Sequence, residues 1–199
     1  MMSKANGLFD RRDIVKRIIG GHDEFLVVTG LGGAGYDCTA ARGDHDLNFC
    51  MHGAMGGAPV VALGMAIAQP ERRVIAVLGD GDMLMGLGSL ATIMTKKPKN
   101  LSVVVLDNGH YVETGNQLTA SGHGVDLAGM AKAAGFPVAF DLADAAEIDA
   151  KVQKIQSAPG PVFASVKISS EQPPTVSKTR DASYMKIRFR KALLGVVPN

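Results

Sequence analysis

Two oxygen-bearing side chains stand where short apolar runs end. Asp80 follows Arg73 to Leu78 (RVIAVL) and lies between Gly79 and Gly81, and Asn108 follows Leu101 to Leu106 (LSVVVL) and Asp107. In open parallel sheets ligands collect beyond the carboxyl ends of the strands. Twenty-eight positions separate Asp80 from Asn108, a spacing that suits one strand–helix–strand unit, whose crossover brings a carboxylate and an amide oxygen side by side. Magnesium takes hard oxygen ligands in an octahedron and usually keeps phosphate oxygens and water in its shell. Asp80, Asn108, one main-chain carbonyl just after Asn108, two phosphate oxygens and a water would complete such a shell. Gly79 and Gly81 let the backbone approach the phosphates, and a helix beginning near Asp82 or Met83 turns its N-terminal amides toward them.

The elements that must hold these groups follow from the pattern of apolar residues. Residues 10–19 carry Ile14, Ile18 and Ile19 at helical spacing, and Phe25 to Thr29 reads as a short buried strand stopped by Gly30. A glycine-rich loop is expected next, then a small-residue helix over 57–69. The strand at 73–78, a helix over 83–94 and the strand at 101–106 follow. Beyond them the pattern predicts a helix over 125–134, a weaker strand at 136–140, a helix over 143–157, a last strand at 161–168 and a basic helix over 184–194. Continuous apolar strands alternating with helices imply a parallel sheet covered on both faces, an α/β doubly wound layer. Residues 1–172 read as one domain, and 173–199, opening at Pro173-Pro174, as a C-terminal tail.

Bulk properties narrow the class. The chain has 199 residues of which 46% are hydrophobic, enough to bury one core, and its net charge of +2 excludes a general nucleic-acid binder. No run approaches the roughly 20 apolar residues of a membrane span, and the N-terminal MMSKANGLFDRRDIVKR lacks an apolar signal core. Cys38 and Cys50, the two cysteines, provide no disulfide framework and are expected as reduced thiols in a cytoplasmic protein. The 24 glycines cluster after the apolar runs, at 30–35, 53–64, 79–88 and 109–124. The first of these, GLGGAG, lacks the spacing of a dinucleotide fingerprint, and no GxxxxGK[ST] phosphate loop is present. Arg180, Lys186, Arg188, Arg190 and Lys191 make a basic stripe, read as a solvated face or as a docking surface for a partner.

Gly79-Asp80-Gly81, a spacer of 25 residues and Asp107-Asn108 together resemble the signature of thiamine diphosphate (TPP) enzymes, in their diphosphate-binding domain. The first of the usual asparagine pair is Asp107 here. The resemblance implies the thiamin-diphosphate-binding fold, with Asp80, Asn108 and the carbonyl of His110 as magnesium ligands. Gly79, Gly81, Asp82 and Tyr111 are implied beside the diphosphate. Gly53-Ala54-Met55-Gly56 stands at the family's distance before GDG, which implies Met55 as the bulky residue beneath the bent cofactor and the Gly53 carbonyl as acceptor for its amino group. By itself Met55 would read as core packing.

The stretches GAMGGAPVVALGMAIAQ, GDGDMLMGLGSLATI, NLSVVVLDNGHYVETGNQLT and DASYMKIRFRKALLG place the chain nearest the sulfopyruvate and phosphonopyruvate decarboxylase branch of that family. The branch implies a lyase that removes carbon dioxide from a small anionic 2-oxo acid. It also implies that this chain acts as a beta-type subunit, in a hetero-oligomer with an alpha subunit that carries the pyrimidine-binding domain and the activating glutamate. Glu113 follows the metal loop and is a poor candidate for that glutamate, and Glu24, Glu71 and Glu147 read as surface residues. His45, His52, His110 and His123 are candidates for proton transfer or anion binding; His52, beside Gly53 and Met55, is the preferred one. Glu113 to Gln117 is read either as a closing segment over the site or as a solvated connector. The competing readings are another TPP enzyme, such as an acetolactate-synthase-like carboligase or a 2-oxo acid oxidoreductase, and a non-catalytic magnesium–phosphate module.

Overall fold

The computed structural model describes residues 8–195. Residues 1–7, which begin the stretch without an apolar signal core, and 196–199, the end of the expected tail, lie outside the described residues. In chain order the elements are α1 (Arg11–Ile19), β1 (Leu26–Thr29), α2 (Gly33–Arg42), β2 (Asn48–Cys50), α3 (Ala58–Ala68) and β3 (Val74–Gly79). Then come α4 (Asp80–Met85), α5 (Ser89–Lys96), β4 (Leu101–Asp107), β5 (His110–Tyr111), β6 (Gln117–Leu118) and α6 (Leu127–Ala133). The chain closes with β7 (Val138–Leu142), α7 (Ile148–Ser157), β8 (Val162–Lys167) and α8 (Ala182–Leu194). Among the described residues no helix is long and apolar enough to cross a membrane.

Six parallel strands form the sheet in the order β2-β1-β3-β4-β8-β7. The chain steps from β1 outward to β2, then returns across β1 to β3 and continues the other way. The switch point therefore lies between β1 and β3, where ligands of such sheets collect. The strands are apolar throughout because both faces are covered, and alternate residues serve opposite sides. Val74, Ala76 and Leu78 of β3 pack with Leu63, Leu90 and Leu127 from α3, α5 and α6. Ile75 and Val77 pack on the other side with Ile14, Cys38 and Ile155 from α1, α2 and α7.

Three expectations change. The glycine-rich segment after Gly30 is not a loop throughout: it contains α2 and β2. The helix expected over 83–94 begins at Asp80 and is broken into α4 and α5 around Gly86. The cause is a close backbone approach, since a Cβ on Gly86 would lie 2.3 Å from the Gly56 carbonyl oxygen. The basic stripe is neither wholly solvated nor wholly free. Arg188 pairs with Asp44 at 3.0 Å and with Asp46 at 3.4 Å. This seats α8 on the sheet edge at β2, where Phe189 meets Phe49 edge-on with ring centroids 5.5 Å apart.

A candidate cofactor and metal site at the sheet switch point

A cavity of about 170 Å³ opens at the carboxyl ends of β1, β3 and β4. Its lining includes Met55, Gly79, Asp80, Gly81, Asp82, Asn108, His110 and Tyr111. His52 and Gly53 are not part of this lining. The lining also holds Arg11, which the sequence had not placed in the site, and Glu113, from the segment read either as closing over the site or as a solvated connector.

Asp80 is 2% exposed and caps the end of β3. One carboxylate oxygen, Oδ2, accepts from Thr119 Oγ1 at 2.5 Å and lies 2.8 Å from Ser121 Oγ. Ser121 Oγ is also 2.8 Å from Asp107 Oδ1. A hydroxyl has a single proton, so Ser121 donates to one of the two carboxylates at a time. The other oxygen of Asp80 has no protein donor, and Asp80 forms no ion pair among the described residues. A buried carboxylate left uncompensated is costly; one that faces a cavity with one oxygen already oriented is suited to a cation.

Asp107 resolves differently. Its Oδ2 pairs with the Lys167 ammonium, which β8 delivers from the next strand, and its Oδ1 accepts from the Gly109 amide at 3.1 Å. Its charge is met inside the protein, which accounts for an aspartate at this position without adding a second negative charge to the cavity. Asn108 Oδ1 accepts from the His110 amide at 3.0 Å, leaving the amide oxygen its second lone pair. His110 Nδ1 lies 2.8 Å from the Asn108 carbonyl; a carbonyl only accepts, so Nδ1 carries the proton. The antiparallel β5–β6 hairpin holds this turn, pairing His110 with Leu118 and Tyr111 with Gln117. The Tyr111 ring covers Gly81, where a Cβ would fall 2.2 Å from a ring carbon.

No cluster of three or more His, Cys, Asp or Glu side chains among the described residues is arranged to cage a metal. The donors present are one carboxylate, one amide oxygen and main-chain carbonyls. Such a set suits a hard ion that completes its shell with ligand oxygens and water rather than a thiophilic one. The residues therefore fit magnesium carried on a phosphate group.

Asp82 acts in a way its position in the motif does not announce. It is 4% exposed, its Oδ2 accepts from the Leu31 amide at 3.0 Å, and its Oδ1 accepts from the Gly56 amide. Burial raises its pKa above the ordinary carboxylate value, against the two amide bonds. Asp82 thus ties the loop after β1 and the Met55–Gly56 turn to the start of α4. Gly30 must be glycine there, because a Cβ would lie 1.8 Å from Asp82 Oδ2. Gly56, at φ +79°, lets the turn rest on Gly86.

The histidines are dispersed. His52 is exposed, with Nε2 3.2 Å from the Thr179 carbonyl; burial first, then Lys178 and Arg180, lower its pKa. His45 Nδ1 accepts from the Leu47 amide at 3.1 Å, and burial and then Arg42 lower its pKa. His123 is exposed and lies outside the cavity lining. Thr119, Ser121 and Lys167 were missed from sequence because hydroxyls and a lysine distant along the chain carry no local signal.

This geometry has the features of a thiamine diphosphate site, and the sequence profile of the thiamine pyrophosphate enzymes, C-terminal TPP binding domain, matches residues 26–166. The chain belongs to that family. Within it, the chain is 35% identical to the sulfopyruvate decarboxylase subunit beta of Methanothermobacter thermautotrophicus, over 94% of this chain and 97% of that one. It is 40% identical to the corresponding subunit of Methanocaldococcus jannaschii, over 63% and 66% of the two chains. Phosphonopyruvate decarboxylase of Streptomyces viridochromogenes is 50% identical over 47% of this chain, a stretch that is 23% of that protein. The fold is shared with a Mycobacterium smegmatis protein whose crystal structure is described as that of a thiamin diphosphate-dependent enzyme. That likeness has a TM-score of 0.67 at 21% identity and covers 81% of this chain and 32% of the other.

Proposed function

We propose that this chain is the beta-type subunit of a TPP- and magnesium-dependent decarboxylase. Its substrate is a small 2-oxo acid with a second anionic group, of the sulfopyruvate or phosphonopyruvate kind. The observation that carries the proposal is Asp80: a buried carboxylate at the switch point, oriented by the Thr119 hydroxyl with Ser121 beside it, open to the cavity and unpaired by any cation of the described chain. When bound, the cofactor supplies the electron sink that lets a 2-oxo acid lose carbon dioxide.

The work of this chain is to bind and orient. Asp80, the Asn108 amide oxygen and the His110 carbonyl are assigned as the metal ligands. Gly79 and Gly81 give the diphosphate access to the backbone, with Tyr111 alongside. Met55, held by the Asp82–Gly56 bond, is assigned as the support beneath the cofactor rings, with the Gly53 carbonyl as a hydrogen-bond acceptor. His52, whose pKa is lowered by burial and then by Lys178 and Arg180, is assigned to proton transfer or to steering the anionic substrate. The activating glutamate is assigned to a separate alpha subunit with the pyrimidine-binding domain, which makes the working enzyme a hetero-oligomer. The buried free thiols of Cys38 and Cys50 support a cytoplasmic location.

Calorimetric titration with TPP and magnesium, on the chain alone and with its alpha partner, tests this reading. Tight binding by the assembled enzyme, abolished by Asp80→Ala with the fold intact, is the expected result. An Asp80→Ala enzyme that binds the cofactor with unchanged affinity overturns the assignment.

A further inference from the structure

The carboxyl edge of the sheet carries a second group of polar side chains, one strand over from β3 and β4. Strands β1 and β2 end side by side, with Thr29 opposite Cys50 and the Met51 amide donating to the Thr29 carbonyl at 3.1 Å. His52 follows at once, three positions before Met55, so their Cα atoms stand at most about 11 Å apart. Over this edge runs the segment that joins β8 to α8. Its Thr179 is held from two sides. Asp44 Oδ2 accepts from the Thr179 amide at 3.1 Å and from its hydroxyl at 2.5 Å, and the Thr179 carbonyl lies 3.2 Å from His52 Nε2.

That anchoring brings in two cations. Lys178 and Arg180 flank Thr179, and Tyr36 gathers both. Lys178 Nζ lies over the Tyr36 ring, 4.2 Å from its centroid, and Arg180 Nη2 donates to the phenol oxygen at 2.6 Å. Lys178 is half-buried. A Cβ on Gly35 would collide with Lys178 Nζ and lie 3.3 Å from Thr29 Oγ1, so the ammonium reaches the end of β1. Neither Lys178 nor Arg180 forms an ion pair among the described residues. The two carboxylates closest to them along the strap are engaged: Asp44 by Arg188 and Thr179, and Asp181 by the Tyr184 amide at 3.0 Å, where it caps α8. None of Tyr36, His52, Lys178 or Arg180 belongs to the lining of the cofactor cavity. Three basic side chains thus meet at one place with no acidic side chain paired to any of them.

We propose that Lys178 and Arg180, with His52 beside them, bind the second anionic group of the 2-oxo acid and make the enzyme prefer dianionic substrates. The inference rests on the decarboxylase reading above and supplies the specificity residues that it leaves open. The carboxylate of the substrate departs as carbon dioxide, and cations gripping it would stabilise the ground state more than the transition state. A sulfonate or phosphonate keeps its charge throughout and gains from fixed cations at every stage. Its three oxygens match the fork of a guanidinium and the point charge of an ammonium. Tyr36 is a positioning residue, holding the two cations together by its ring and its hydroxyl.

The test uses the assembled enzyme with saturating TPP and magnesium. It measures kcat and KM for sulfopyruvate and phosphonopyruvate, and the inhibition constant of pyruvate, which lacks the second anionic group. Lys178→Met should raise KM for the better dianionic substrate about tenfold to a hundredfold, with kcat lowered less than about threefold. The pyruvate constant and the calorimetric affinity for TPP should stay within about twofold. Arg180→Met should act in the same direction, Lys178→Arg should recover part of the loss, and Tyr36→Phe should raise KM alone. Equal weakening of pyruvate and the dianionic substrate would overturn the proposal, as would an unchanged KM. Loss of the alpha subunit from the Lys178→Met enzyme on gel filtration would assign the cations to subunit docking and also overturn it. Wild-type enzyme that binds TPP but decarboxylates neither dianionic substrate would sink the decarboxylase reading, a result told apart because it needs no variant.

Discussion

Replacing Asp82 by alanine probes the joint that connects three loops of the site. The carboxylate is 4% exposed and accepts from the amides of Leu31 and Gly56, 51 and 26 positions away. Hydrogen bonds to a charged group contribute about 1.5–3 kcal/mol each, so the two together set an upper range of about 3–6 kcal/mol. Two effects reduce it. The cost of burying the carboxylate, visible in its raised pKa, disappears with the side chain, and the cavity admits water to the freed amides. A net loss of about 2 kcal/mol is the expected balance. For a chain of this length that corresponds to a fall of about 4–8 °C in Tm. Asparagine keeps one acceptor oxygen but turns its NH2 toward one of the amides, so Asp82→Asn should recover about half of the loss. Circular dichroism melting gives the stability change, and titration with TPP and magnesium gives the functional one. With the Gly56 tie gone the Met55 turn loses its anchor, and affinity should fall by about tenfold, equivalent to about 1.4 kcal/mol. A lower Tm with unchanged cofactor affinity would refute the claim that Asp82 positions Met55. An unchanged Tm would refute the energetic argument altogether.

Two further outcomes are expected. Met55→Ala should leave TPP binding in place while lowering turnover, measured as carbon dioxide release by the assembled enzyme; full activity would return Met55 to ordinary packing. The third concerns acid. The Arg188 hydrogen bonds, above all, hold the Asp44 pKa down to about 2 from an ordinary value of 3.8. A depressed carboxylate contributes stability that is present above the unfolded value and lost as pH falls through the folded one. Amide exchange in α8 should therefore accelerate as pH is lowered from about 4 to 2, beyond the intrinsic pH effect. Asp44→Asn should exchange faster in α8 at neutral pH and lose that acid dependence; an unchanged profile would mean the Arg188 pair does not seat the helix.

What the sequence determined by itself is local. Apolar runs at 74–78 and 101–106, each ended by small or polar residues, specify buried parallel strands, because a chain covered on both faces has no polar side to display. An oxygen ligand just past each run then has to appear at the carboxyl edge, which is why Asp80 and Asn108 were legible without coordinates. Elements whose stability comes from neighbours were not. Helix α2 begins with glycines and carries little amphipathic contrast, and β2 is three residues at an edge completed by α8. The break between α4 and α5 is set by contact with Gly56, not by helix propensity.

Only the tertiary structure decided how the site is held. Thr119 reaches Asp80 across 39 positions, Lys167 neutralises Asp107 across 60, and Asp37 orients Arg11 across 26. Periodicity reports which face of an element is apolar, but it does not say which residues the strand order and the crossovers bring together. The Lys167–Asp107 pair exists because β4 and β8 are neighbours in the sheet, and the Arg11–Asp37 pair because α1 and α2 pack together on one face of it; no single segment fixes either.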